Sequence, residues 1–240
     1  MAGLKFFPEA FAGLDQRRIL ARLGTHQVIA ENFFLTGGTA LGAFYLGHRV
    51  SEDLDLFSRY DLDLSEIDFW IGRTWPGETS PIRRSPGFVS ILVRGIKIDL
   101  VVDPLAEPGI RERTGLEEGS SIAVDLLANI ASNKLAALVG RTELKDYLDH
   151  YFIARTYPDL GRDDIFRRAR AKEAMFDDPA AAAFQVELAI ERLKPIAGKE
   201  SAGSPPGRGS SPRLLKPIDW DDFWRMFEEL AEWLYALGRT

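Results

Sequence analysis

The chain has 240 residues and a formal charge of −6, from 30 Lys plus Arg against 36 Asp plus Glu, with 45% hydrophobic residues and no cysteine. One or two domains with a proper core fit that length, while thiol chemistry, a disulfide scaffold and sulfur-ligated metals are excluded, as is a zinc motif built from the three scattered histidines His26, His48 and His150. Net acidity argues against coating nucleic acid by bulk attraction, and without a secretory leader or an apolar run of about 18 residues the expectation is a cytoplasmic protein with no membrane association.

Pro8 and the acidic Glu9 predict a helix start, and Phe11, Leu14, Ile19, Leu20 and Leu23 would form its buried side through about residue 23. A short strand, Phe33-Phe34-Leu35, follows and stops at Gly37-Gly38, after which residues 39–46 read as a short helix. Asp53 to Phe57 alternates with period two and reads as a strand. Ser65 and the acidic residues behind it suggest a capping box opening a helix over 66–75. Residues 88–93 and 97–102 are two further strands, joined tightly enough through Arg94-Gly95-Ile96 for a hairpin. From about residue 120 the pattern is helical: 121–139 and 142–157, with Ser121 and Thr142 as caps, then 163–174 and 179–193. Gly198 to Pro212 has the composition of a flexible linker. Beyond it Trp220, Phe223, Trp224, Phe227, Ala231 and Leu234 recur at helical spacing.

The stretch from Phe33 to Phe57 carries the chemistry. Asp53 and Asp55 lie two apart on one strand, so their carboxylates leave the same face while Leu54 and Leu56 enter the core. Carboxylates so spaced suit Mg²⁺, a hard cation that shares its shell with substrate phosphates. Upstream, Gly37-Gly38 admits close approach of the backbone, and a helix opening at Thr39 would offer N–H groups to a phosphate. Asp99, on the polar face of the strand Lys97-Ile98-Asp99-Leu100-Val101, supplies a third carboxylate if that strand lies beside the first. Three neighbouring carboxylates repel one another unless cations sit among them. The repeat of the string at Asp61-Leu62-Asp63-Leu64 belongs instead to a turn and a helix start.

On the helix beginning near residue 121, Lys134 and Arg141 fall within an otherwise apolar stripe. A buried charge is costly without a partner, so the stripe either faces negative charge, which a nucleoside triphosphate would supply, or lets Lys134 snorkel at the edge of the core. Arg49 and Ser51, just before the paired carboxylates, offer a guanidinium for bidentate phosphate binding or simply a turn at the surface. His48 reads as a packing residue. The basic run Arg162, Arg167, Arg168, Arg170 and Lys172 reads as a charged helix surface, with phosphate contacts to an RNA as the sharper reading.

The ordered set G-G-T-A-L (37–41), G-H-R-V-S-E-D-L-D-L-F (47–57) and K-I-D-L-V (97–101) resembles the nucleotidyltransferase superfamily, and within it the AbiEii-type toxin family. The pair Asp125-Leu126, the run N-K-L-A-A-L (133–138), Arg141 and the run K-D-Y-L-D (145–149) are similar to helical motifs of that branch. The 14 residues between Gly38 and Asp53 lie at or slightly beyond the long end for the superfamily and suit the branch containing G-H-R. The resemblance covers about half of the chain. It implies an α/β (α+β) fold: a nucleotidyltransferase core with a small mixed sheet over 1–119, and a helical region over 120–197 completing the nucleotide pocket. A linker over 198–216 and an amphipathic C-terminal helix over 217–240 would follow.

The same resemblance implies Asp53, Asp55 and Asp99 as catalytic metal ligands, with Asp99 favouring the metal that activates the acceptor hydroxyl. Gly37, Gly38, Thr39, Arg49, Ser51, Lys134, Arg141, Lys145 and Asp146 would form the nucleotide site, Lys145 and Asp146 on its far wall. Two Mg²⁺, or Mn²⁺, would be the cofactors. The expected reaction moves a nucleotide from an NTP to an acceptor, tRNA or other RNA, by the toxin of a toxin–antitoxin pair, with the cognate antitoxin as partner. The rival readings are a catalytically silent nucleotide-binding module and a DxD glycosyltransferase, the latter opposed by only 52 residues preceding Asp53.

Overall fold

A computed structural model describes residues 3–195, 197 and 212–239; most of the expected linker, 198–211, lies outside the described residues. One compact unit extends to Ile130 and a second begins at Ala131. The first holds a seven-stranded mixed sheet: β1 (Phe33–Thr36), β2 (Leu54–Ser58), β3 (Thr79–Ser85), β4 (Phe88–Val93), β5 (Ile96–Val102), β6 (Arg113–Thr114) and β7 (Ile122–Val124), in the order β3-β4-β5-β2-β1-β7-β6. With the helices it makes the chain an α/β protein of the expected class.

The helix expected from Pro8 is broken. Pro8–Ala10 form a single 3₁₀ turn, Gly13 is extended, and α1 runs only from Leu14 to Leu23. Phe11 is therefore outside the helix, bridged to Ser51, and Leu14 at the first turn is 61% exposed rather than buried. Ile19, Leu20 and Leu23 do enter the core. α2 (Gln27–Asn32) leads into β1, whose four residues are all buried because the strand is central in the sheet. α3 (Gly37–Leu41) then opens two residues earlier than expected and passes into a π turn, Gly42–Leu46. The glycine pair thus forms the first turn of that helix.

α4 (Ser65–Thr74) begins at Ser65 itself, and the side chain accepting from the Ser65 N–H, at 2.9 Å, is Asp63. The serine expected to cap the helix is therefore its first residue, and the second aspartate pair lies in a turn and helix start as expected. The β4–β5 turn is shorter than the sequence suggested. Arg94 and Gly95, both at positive φ, suffice to reverse the chain, and Ile96 already pairs with Val93.

The helix expected from Ser121 starts only at Leu127. Residues 122–124 are instead β7, parallel to β1 and antiparallel to β6, and α5 spans Leu127–Gly140. The second unit contains α6 (Leu144–Thr156), α7 (Arg162–Arg170), a 3₁₀ turn (Ala174–Asp177), α8 (Pro179–Leu193) and α9 (Trp220–Leu237). Glu143, not Thr142, holds the N-cap position of α6, without a side-chain bond. Asp178 caps α8 and Asp219 caps α9 by accepting from backbone N–H groups of their first turns. The core of this unit is aromatic: Tyr147 and Tyr151 of α6 meet Phe227 and Phe223 of α9 at 4.7 and 5.3 Å between ring centroids. Among the described residues no helix is long and apolar enough to cross a membrane.

Candidate active site

Pairing of β2 with β5 decides where the carboxylates stand. The strands are parallel, with Asp55 opposite Asp99 and Leu54 opposite Ile98. Alternation sends Leu54, Leu56, Ile98 and Leu100 into the core, all fully buried, and leaves Asp55 and Asp99 together on the other face. Asp53 lies one residue before β2. Continuing the same register places it beside Lys97, so Asp53, Asp55, Lys97 and Asp99 form a two-by-two patch on one face of the sheet.

Neighbouring elements hold this patch in place. The Thr39 hydroxyl donates to the Asp53 carbonyl at 2.5 Å, and the Gln16 side-chain amide reaches the same oxygen at 3.3 Å. Thr39 is completely buried, so its hydroxyl ties α3 to the start of β2. Ser90, opposite Asp99 on β4, donates to Asp99 Oδ1 at 2.6 Å, while Lys97 Nζ lies 2.5 Å from Asp99 Oδ2. Burial opposes the charge of Lys97. The hydrogen bond from its ammonium to Asp99 and the fields of Asp99, Asp53 and Asp55 outweigh that, holding its pKa above the usual lysine value.

Each glycine of the pair makes room for a different side chain. Gly37 has φ +69°, and a Cβ there would fall on the Asp55 carboxylate. A Cβ on Gly38 would lie 2.6 Å from Arg49 Nη2 and 2.7 Å from Ser51 Oγ. The two positions therefore require the absence of a side chain, and Gly38, Arg49 and Ser51 meet at one point. Arg49 and Ser51 are buried, with Arg49 Nη1 donating to the Val50 carbonyl at 3.0 Å. His48 is wholly buried, in keeping with a packing residue.

Just after β7 lies a network around Asp125, a residue of the resembled motifs to which the sequence assigned no site role. Asp125, fully buried, accepts from the Thr36 hydroxyl at 2.7 Å, from Arg111 Nε at 3.0 Å and from Asn129 Nδ2 at 2.6 Å. Burial pushes its carboxyl above the ordinary range, against the lowering pull of Arg111 and the two hydrogen bonds. Thr36 immediately precedes Gly37, so this network fixes the strand end from which the glycine turn departs.

In the helical unit Lys134, Arg141, Asp146 and Asp149 come together. Lys134 Nζ lies 2.9 Å from Asp146 Oδ1 and 2.7 Å from Asp149 Oδ2, and Arg141 Nε lies 2.7 Å from Asp146 Oδ2. Burial would raise the Asp146 carboxyl, but Lys134 and Arg141 outweigh it and hold it below the usual range. The negative charge that the sequence demanded for Lys134 is supplied inside this unit. Lys145 does not join the cluster: it pairs with Glu143 at 2.8 Å in solvent. The basic run on α7 is also largely engaged, Arg167 and Arg168 with Asp164 and Arg170 with Asp177.

Among the described residues no group of three or more His, Asp or Glu side chains is gathered closely enough to hold a metal ion. The donor chemistry of the patch still fits one. Its donors are carboxylate oxygens, the preference of Mg²⁺ and Mn²⁺, and the Lys97 ammonium already stands on one of them as a cation.

Residues 18–232 match the family model described as nucleotidyl transferase AbiEii toxin, type IV TA system. A solved structure from H. pylori, provisionally assigned as a nucleotidyltransferase, is 17% identical over 97% of this chain and 97% of its own, with a TM-score of 0.52. JHP933 from Helicobacter pylori is 17% identical over 98% of this chain and 95% of its own, with a TM-score of 0.50. These two likenesses are of fold. No curated protein matches the chain.

Proposed function

From the premise that the chain belongs to the AbiEii nucleotidyltransferase toxin family and is itself a nucleotidyltransferase, we propose that it moves a nucleotide from an NTP to an RNA acceptor, tRNA foremost, with Mg²⁺ or Mn²⁺ bound at Asp53, Asp55 and Asp99. The observation that carries this reading is the parallel register setting Asp55 against Asp99 on the open face of the sheet, with the Gly37-Gly38 turn directly beside Asp55.

The acceptor hydroxyl oxygen bonds to the α-phosphorus, the bond from that phosphorus to the bridging oxygen breaks, and pyrophosphate leaves. Asp99 receives the hydroxyl proton. When bound, two divalent cations would acidify the attacking hydroxyl and offset charge on the leaving pyrophosphate. Ser90 orients Asp99 through Oδ1, and Thr39 fixes the backbone of Asp53. Gly37 and Gly38 leave room for the Asp55 carboxylate and for the Arg49 guanidinium and Ser51 hydroxyl, the groups beside which the triphosphate would lie. On the helical unit, taken by itself, Arg141 and Lys145 are 49% and 39% exposed and can meet phosphate, while Asp146 and Lys134 set the position of Arg141. A reaction on NTP and RNA would run in the cytoplasm, with a cognate antitoxin as the partner that a type IV pair implies.

The test is incubation with each labelled NTP, Mg²⁺ and total RNA, beside the double variant Asp53→Ala/Asp55→Ala. Transfer of label to RNA by the wild type alone is the expected result. Transfer that survives the double variant would overturn the site assignment, and an absence of transfer to any acceptor would favour the silent module.

A further inference from the structure

We propose that Lys97 is a positioning residue whose ammonium serves as the built-in counter-cation of the carboxylate patch, holding Asp99 until a divalent cation displaces it. The inference rests on the metal site proposed above and adds a residue to it. Lys97 and Asp99 are two apart on β5 and share its polar face. The register of β2 and β5 puts Asp55 opposite Asp99 and, continued by one residue, Asp53 beside Lys97. One ammonium therefore stands at a corner of a patch whose other three corners are carboxylates.

The contacts within Asp99 separate its two oxygens. Oδ1 accepts from Ser90 at 2.6 Å, a bond between neighbouring strands that orients the carboxylate. Oδ2 lies against Lys97 Nζ at 2.5 Å. A cation entering among Asp53, Asp55 and Asp99 needs the oxygen that Lys97 holds. The lysine can yield it, because its side chain is 33% exposed and its four-carbon stem is flexible, whereas the Asp99 side chain is only 13% exposed. Like charges will not share that space: at a few ångströms an ammonium and a divalent cation repel strongly even where solvent screens them. Displacement moves the ammonium outward, where it can meet the triphosphate.

The experiment measures Mn²⁺ binding by electron paramagnetic resonance on the full chain without nucleotide, together with melting temperature with and without Mn²⁺. Lys97→Met removes the charge and keeps the length. It is expected to bind Mn²⁺ about tenfold more tightly than the wild type, after allowance for solvent screening, to melt lower without metal and to gain more on adding it. Lys97→Arg keeps the charge and should bind like the wild type. Unchanged or weaker binding by Lys97→Met, or equal tightening by Lys97→Arg, would overturn the inference. Should Lys97→Met fail to fold, Lys97→Gln carries the same comparison. Asp99→Asn separates this outcome from failure of the site itself: Mn²⁺ binding that it abolishes upholds the site whatever Lys97 does. No binding by the wild type, or binding that Asp99→Asn retains, removes both.

Discussion

Two clusters of opposite charges, one on the sheet and one among the helices, are built from the same residue types and differ in their exposure. In the helical unit Asp146 and Asp149 are fully buried around Lys134, itself 9% exposed, and Arg141 closes the pair from the solvent side. On the sheet, Asp53, Asp55, Lys97 and Asp99 are all partly exposed along the edge of a glycine turn. A closed cluster satisfies its own charges, and its cost falls on stability when one member is lost. An open cluster can accept a guest, and its loss falls on chemistry.

The sharpest way to break that comparison is to delete one carboxylate from each. Asp146→Ala leaves Lys134 buried beside a single aspartate and removes the anchor of Arg141, and should cost on the order of 3–5 kcal/mol in urea unfolding. Asp99→Asn should leave unfolding within about 1 kcal/mol of the wild type and reduce nucleotide transfer on the order of 10³-fold. If Asp99→Asn proved the more destabilising, the division into a closed structural cluster and an open chemical one would fail.

The closed cluster can also be probed by pH. His150, on α6 beside Asp149, is buried, packs against Phe227 of α9 at 6.1 Å between centroids, and is pushed by burial from 6.5 down to about 4. The folded protein therefore binds this proton less readily than the unfolded chain, so stability rises with pH between those two values. Its contribution is complete above pH 6.5 and lost as pH falls toward 4, by roughly 3 kcal/mol in all. The Asp146 carboxyl, held below its ordinary value of 3.8, gives up its contribution only at lower pH still, so the two effects fall in separate windows. Urea unfolding across pH 4–7 should differ between wild type and His150→Leu by this slope, the opposing slope from the raised Asp125 carboxyl being common to both.

Side-chain alternation alone is enough on the two central strands: Leu54, Leu56, Ile98 and Leu100 lie on the core face, which puts the carboxylates on the opposite one. Ser90 is hidden by a register of one residue. Starting the second hairpin strand at Lys97 leaves a three-residue turn, whereas the two-residue turn Arg94-Gly95 pairs Val93 with Ile96 and therefore Ser90 with Asp99. β7 is not legible in the sequence because three apolar residues before a helical pattern carry no period of their own; its identity comes from pairing with β1, some ninety residues upstream. Lys134 shows the same limit. Helical spacing indicated a lysine that must be buried, but its partners Asp146 and Asp149 come from the next helix, so spacing alone could not tell a neighbouring carboxylate from a nucleotide phosphate.

Lys145 tests the edge of the closed cluster with the smallest expected effect. It lies one residue from Asp146 yet pairs with Glu143 where both side chains are about 40% exposed. Such a pair contributes little, because solvent screens it and two long side chains must be held still. Lys145→Ala should therefore change unfolding free energy by no more than about 0.5 kcal/mol. If its ammonium meets phosphate as proposed, the same variant raises the KM for NTP by roughly tenfold, about 1.4 kcal/mol, with kcat little altered, because the lost contact serves ground state and transition state alike. An unchanged KM would confine nucleotide recognition on this helix to Arg141. A large loss of stability would instead draw Lys145 into the closed cluster, from which its geometry separates it.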